Sequence, residues 1–257
     1  IANFSELKKP LLEKSGYHFV LDCDTEIIMH YLAREQMENQ KKPMSTMFDE
    51  IGKKFDGAYS LAFLNADGDL VVARDPLGFR PLAYGYLDED TVVFASETNA
   101  LSNVGVKNYE YVRPGELIHV TKEGKLSRHV FAKPKRLAHC MFEWVYFSNV
   151  SSVMEGKSVY VTRVNLGKEL AKLETENVNK DEYIVVPVPD TAKASGDSMA
   201  YELGIPSKEG LIRNRYVGRT FIEGDKSRRL KVKTKYSIVK QIIKGKKLIL
   251  VDDSVVR

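Results

Sequence analysis

Leu248-Ile249-Leu250-Val251 runs straight into Asp252-Asp253-Ser254, and Arg257 is the last residue. An aliphatic run without alternation is the pattern of a parallel strand covered on both faces. In open α/β sheets ligands bind just beyond the carboxyl ends of the strands. Two carboxylates at that place can accept hydrogen bonds from a ribose diol or face a hard cation. A hydroxyl and a turn directly after them begin an anion-binding nest. The combination suits a phosphorylated sugar. The alternative is a buried strand that ends in a solvated acidic turn.

Other candidates are scattered along the chain. Thr191 opens a helix after Val186-Pro187-Val188-Pro189-Asp190, where a threonine serves as an ordinary N-cap. Asp24, in Asp22-Cys23-Asp24-Thr25-Glu26, is placed to cap a helix and meet its dipole. Cys23 and Cys140 are the two cysteines, too few for a disulfide framework, which fits a reducing, cytoplasmic location. A net charge of +4 does not by itself imply nucleic acid. The surplus is local: Lys208 to Lys235 holds ten basic residues against three acidic. No aromatic interleaving or RNA-binding motif accompanies it, so no nucleic-acid partner is expected.

These residues need a scaffold, and 257 residues with 43% hydrophobic content can supply one large domain or two ordinary ones. The first half predicts short helices from Ser5 to Lys14, from Asp24 and over Thr46–Lys54. Hairpins follow, with Ala58–Leu64 and Leu70–Arg74 flanking an Asp67-Gly68 turn. Thr91–Ser96, Glu116–Thr121 and Leu126–Phe131 add strands, which makes a layered α+β domain. After Lys133-Pro134-Lys135-Arg136 the rhythm changes. Helices are predicted at Val164–Glu176, Thr191–Leu203 and Tyr236–Ile243, with strands at Tyr183–Pro187, Leu211–Arg213 and Leu248–Val251. That alternation argues for a parallel sheet with crossover helices. No apolar stretch reaches bilayer length, so no membrane partner is expected. The sequence shows no signal-peptide pattern and begins with Ile1 rather than Met, and the expectation is an internal fragment of a longer protein.

Three segments of the first half stand in a telling order: Asp75-Pro76-Leu77-Gly78-Phe79-Arg80-Pro81-Leu82, Phe94-Ala95-Ser96-Glu97-Thr98 and Val112-Arg113-Pro114-Gly115-Glu116. Together with Asp24-Thr25-Glu26 they resemble the class II glutamine amidotransferase domain, an N-terminal-nucleophile fold. The second half carries Cys140-Met141-Phe142-Glu143-Trp144-Val145-Tyr146-Phe147-Ser148, Asn165-Leu166-Gly167-Lys168 and Arg213-Asn214-Arg215-Tyr216-Val217-Gly218-Arg219-Thr220-Phe221-Ile222. With the terminal Asp252-Asp253 these resemble the glutamine phosphoribosylpyrophosphate (PRPP) amidotransferase family, whose second domain is a type I phosphoribosyltransferase. The resemblance implies an amidotransferase domain over residues 1–131 and a phosphoribosyltransferase domain over 132–257, both incomplete.

It also implies roles, residue by residue. Asp24 is expected to bind the amino group of glutamine. Asp252 and Asp253 are expected to hold the ribose hydroxyls of PRPP and Mg²⁺, with Thr191 a further Mg²⁺ ligand. Ser254 and Arg257 begin the 5′-phosphate loop, and Arg215, Tyr216, Gly218, Arg219 and Thr220 lie in a loop that closes over PRPP. An Arg-rich closing loop can offset phosphate charge while excluding water. Cys140 aligns with one ligand of a structural 4Fe–4S cluster, which needs four thiolates; a plain buried thiol is the other reading. The family's nucleophile is a cysteine at the mature N-terminus, and its oxyanion-hole Asn-Gly falls upstream of Ile1. Cys23 lies within a turn, lacks a free amine and is rejected as that nucleophile, so the fragment itself is expected to be inactive. Asn149-Val150-Ser151-Ser152 departs from the family's Arg-Pro-Asp-Ser. PRPP and glutamine are the implied substrates, purine nucleotides the feedback inhibitors, and a homo-oligomer the assembly. The alternatives are a non-catalytic PRPP-binding regulator and a decayed amidotransferase.

Overall fold

The computed structural model describes residues 1–13, 17–21, 23–38, 42–134, 136–214, 216 and 235–255. The chain forms two compact units, Ile1–Cys140 and Met141–Arg257.

In the first unit the order is α1 (Phe4–Glu13), α2 (Asp24–Glu38), α3 (Met44–Ile51), β1 (Ser60–Leu64), β2 (Leu70–Arg74), β3 (Ala83–Tyr86), β4 (Val92–Ala95), α4 (Thr98–Asn103), β5 (Tyr109–Tyr111), β6 (Glu116–Val120) and β7 (Leu126–Val130). Antiparallel pairing makes a four-stranded sheet, β1-β2-β6-β7, and a three-stranded one, β4-β3-β5. The period of two along each strand divides the side chains between layers. Val71, Ala73 and Leu117 face the first three helices, where they pack with Leu11, Ile27, Phe48 and Ile51. Their neighbours Val72 and Ile118 face the other sheet through Leu82, Tyr84 and Val112. Ala83 on the far side of that sheet meets Leu101 of α4. The layers therefore run helix, sheet, sheet, helix. Full burial of a side chain such as Phe48 or Ile51 contributes about 2–3 kcal/mol. A surface pair such as Lys53–Glu50 contributes about 0.3–0.5 kcal/mol, so the apolar layers hold the unit together.

The expected hairpin is present, with Leu64 opposite Leu70. Asn65 Oδ1 closes its turn by accepting from the amides of Asp67 and Asp69, at 3.0 and 2.8 Å. After β2 the chain enters a loop built on two buried charges. Arg74 donates to the carbonyls of Arg80, Val112 and Gly78 at 2.8, 2.9 and 2.9 Å. Asp75, wholly buried, accepts from the amides of Leu77, Phe79 and Tyr59. The segment leaving the unit is tied to this loop: Ala138 N donates to Leu77 O, His139 Nδ1 to Gly78 O and Cys140 N to Phe79 O. Those bonds carry the unit's edge to Cys140.

The second unit begins with a π-helical turn, Glu143–Phe147, followed by β8 (Val153–Met154), β9 (Lys157–Ser158), α5 (Val159–Leu173), β10 (Tyr183–Pro187), α6 (Lys193–Leu203), β11 (Leu211–Arg213), β12 (Tyr236–Ile238), α7 (Lys240–Ile243) and β13 (Lys247–Val251). β10 and β13 pair in parallel, Tyr183 with Lys247 through Pro187 with Val251. Val185, Met199, Ala200, Ile205 and Val251 form the core beside them. Gly167 lets α5 approach α6 closely: a Cβ there would lie 2.1 Å from the Ser195 carbonyl oxygen. The serine hydroxyls of the facing helix use that approach, Ser195 Oγ donating to Arg163 O and Ser198 Oγ to Val164 O, each at 2.9 Å.

Two expectations are corrected. Tyr236–Ile243 is not one helix: Tyr236–Ile238 pairs antiparallel with Leu211–Arg213, and only Lys240–Ile243 is helical. Tyr and Ile favour a strand once a partner edge is present, and a local period cannot supply that partner. The aliphatic run of β13 is not buried on both faces either, since Leu248 and Leu250 are 45% and 60% exposed. Among the described residues Ile249 and Val251 pack on the core, and the alternation of side chains puts Leu248 and Leu250 on the other face.

Candidate functional site

In the first unit Asp24 is the first residue of α2 and its side chain is half exposed. Oδ2 receives the Ile1 amine at 2.5 Å. A carboxylate so placed, backed by a helix N-terminus, can accept an ammonium and two amide donors at once. Glu26, in the first turn of the same helix, is buried and points back along the chain, accepting from Val20 N at 2.6 Å and Leu21 N at 2.8 Å. Cys23 is a free, partly exposed thiol beside them.

In the second unit the parallel pairing brings two strand ends together. Val188 N donates to Val251 O at 2.8 Å, so the chain past β10 stays beside the chain past β13. Thr191 Oγ1 donates to Asp253 Oδ2 across 62 residues of sequence. Asp253 N donates to Asp252 Oδ1 at 2.8 Å, and Ser254 Oγ to Asp253 Oδ1 at 2.5 Å. Four of the expected residues, Thr191, Asp252, Asp253 and Ser254, therefore form one chain of contacts. Tyr216 is fully exposed, its amide bonded to Asn214 Oδ1. Arg215, Gly218, Arg219, Thr220 and Arg257 lie outside the described residues. Cys140 is buried in the first unit, its amide bonded to Phe79 O.

A cavity of about 490 Å³ opens beside the end of β10, with Pro189, Asp190, Lys193, Lys208 and Arg213 among its walls. Arg213 Nη1 lies 2.7 Å from Asp190 Oδ2, and Lys193 Nζ 2.6 Å from Glu209 Oε1. The Glu209 carboxylate pushes the Lys193 ammonium above its ordinary range. Lys193, Lys208 and Asp190 were not among the residues expected to act. Of the three only Asp190 carried a signal, as a polar residue shortly after an apolar strand end, where α/β ligands bind.

Comparison with known proteins separates the readings of this geometry. Residues 1–103 match the glutamine amidotransferase domain family. All of the chain aligns with the amidophosphoribosyltransferase of Methanothermobacter thermautotrophicus at 40% identity, covering 52% of that protein. The chain is similar along its whole length to proteins named amidophosphoribosyltransferase. The Pseudomonas aeruginosa protein of that name is 33% identical over the full chain and 53% of its own length. A solved glutamine PRPP amidotransferase of B. subtilis, complexed with ADP and GMP, superposes with a TM-score of 0.81 at 33% identity, over 100% of this chain and 54% of that one. The chain thus spans about half the length of the relatives it matches. The fold is shared with that solved structure: a layered first unit that matches the glutamine amidotransferase domain over residues 1–103, then a second unit of mixed α/β structure. No helix among the described residues is long and apolar enough to cross a membrane.

Proposed function

We propose that the protein carrying this chain is an amidophosphoribosyltransferase with two sites. Glutamine and water give glutamate and ammonia at the first. At the second, the ammonia nitrogen bonds to C1 of PRPP as the C1–O bond to pyrophosphate breaks, leaving 5-phosphoribosylamine and pyrophosphate. The observation that carries the reading is the Thr191–Asp253 contact at the ends of two parallel strands, with Asp252 and Ser254 attached to it.

Asp24 takes the α-ammonium of glutamine, its carboxylate half exposed at the start of α2. Asp252 and Asp253 accept hydrogen bonds from the ribose hydroxyls and fix C1 in place. Lys193, Lys208 and Arg213 offer cations to phosphate groups entering the cavity, in exchange for the carboxylates that Lys193 and Arg213 now meet. The same cations suit the phosphates of purine nucleotides as effectors, in keeping with the ADP and GMP of the B. subtilis neighbour.

Mg²⁺ fits the donor set, because Thr191, Asp252 and Asp253 supply hard oxygens and the ion ordinarily takes one or two carboxylates plus substrate phosphates. Among the described residues no trio of His, Cys, Asp or Glu gathers as a closed metal cage. Held by these oxygens, Mg²⁺ would supply positive charge to offset that of the departing pyrophosphate. Cys140 is the thiolate this chain would contribute to a four-thiolate iron–sulfur cluster. Both cysteines are free thiols, which supports a reducing cytoplasmic compartment.

The test is product formation from PRPP with either glutamine or ammonium as nitrogen source, using the protein at its full encoded length. Asp24→Asn is expected to abolish the glutamine-dependent reaction and spare the ammonium-dependent one. Equal loss of both, or loss of neither, overturns the assignment.

A further inference from the structure

Glu26 poses a question that capping does not answer. It is only 9% exposed, and both carboxylate oxygens are spent on main-chain amides of the segment before the helix. An acid that only complements a helix dipole does so from solvent, whereas a buried carboxylate is stabilised only through the bonds it makes. The bonded segment cannot hold itself: Val20 is 88% exposed and Leu21 63%, so apolar packing does not fix their backbone. On the other side Glu26 Oε1 lies 3.9 Å from His30 Nε2. The His30 ring is held edge-on by Tyr17 and Phe19 at 5.2 and 5.1 Å. The segment from Tyr17 to Leu21 is thus gripped at both ends by the first two turns of α2. Asp24, half exposed, is the acid that this grip leaves open to solvent at the start of α2.

We propose that Glu26 is a positioning residue for glutamine: it clamps the Val20–Leu21 backbone to the start of α2 so that Asp24 meets the α-ammonium in one orientation. This rests on the amidotransferase reading. A carboxylate is required because two amides must be accepted at once. A glutamine side chain has one carbonyl oxygen and would hold only one of them.

The experiment compares ammonia release from L-glutamine and from 4-carbamoylbutanoate, the same amide without its α-ammonium, using the full-length protein. Glu26→Ala is expected to lower kcat/KM for glutamine about tenfold through KM, within what slight misplacement of a binding group costs, and to leave the analogue within about twofold. Glu26→Gln is expected to fall between, with a loss of about threefold, and carries the test should the alanine variant fail to fold. Asp24→Asn is the reference and should remove the preference for glutamine altogether. An equal fall for both substrates in the Glu26 variants would mean that Glu26 only maintains the fold, and overturns the proposal. So does an unchanged preference. If Asp24→Asn keeps the preference, the amidotransferase reading of this site falls, and the role of Glu26 with it.

Discussion

Gly167→Ala offers a severe test of the packing that carries Thr191 to its place. The added Cβ would lie 2.1 Å from Ser195 O and 2.9 Å from Ser198 Cβ. Restoring ordinary contact requires α5 and α6 to part by about 1 Å, an overpacking strain of about 1–3 kcal/mol. Both interhelical bonds, from Ser195 and Ser198, start at 2.9 Å and would stretch past useful length. Each is worth about 1 kcal/mol, whereas alanine returns about 1 kcal/mol of helix propensity. The net expectation is a loss of about 2–4 kcal/mol. Trp144 is the single tryptophan of the chain and sits in the π-helical turn of the same unit, so its fluorescence reports urea unfolding there. The midpoint should drop with the slope unchanged. A midpoint at or above that of the parent would refute the close approach of the two helices.

Two further expectations follow from single contacts. Thr191→Val keeps the shape but removes the donor to Asp253, and should weaken Mg²⁺–PRPP binding about tenfold by titration calorimetry; unchanged affinity would count against a shared site. Asp69 accepts from His119 Nε2 at 2.9 Å and from Lys122 N, and these bonds hold its carboxyl below the usual range. A lowered folded-state value stabilises above the unfolded value and is lost as pH falls through the folded one. The parent's stability advantage over Asp69→Asn should therefore be full near neutrality and shrink below about pH 4. A gap that stays constant in urea titrations across that range would refute it.

Much of the fold can be read from local pattern. The 60–74 hairpin is legible because Asn65, Asp67 and Gly68 encode its turn, and β10 because Ile184, Val185 and Val186 leave no polar face. β3 and β5 escape such reading because Ala83–Tyr86 contains a glycine and Tyr109–Tyr111 is only three residues long. Their pairing is settled by the sheet rather than by propensity. β12 was misread for the same reason. At the site, Asp252, Asp253 and Thr191 are conspicuous by type and by their place after apolar strands. Lys193, Lys208 and Arg213 are not, because surface cations are common and only the turn of the chain around Pro189 gathers them at one cavity. Glu26 reads as a helix-start acid; its burial and its two amide bonds are visible only once Val20 and Leu21 fold back.

The most direct measurement is of the paired variant Asp252→Asn with Asp253→Asn in the full-length protein, supplied with PRPP and ammonium. Removing both carboxylates should cut 5-phosphoribosylamine formation at least about a hundredfold, the scale of losing several charged contacts in a transition state. Glutamine hydrolysis should remain at least partly intact. Parent-like synthesis by that variant would contradict the assignment of the β10–β13 strand ends as the PRPP site.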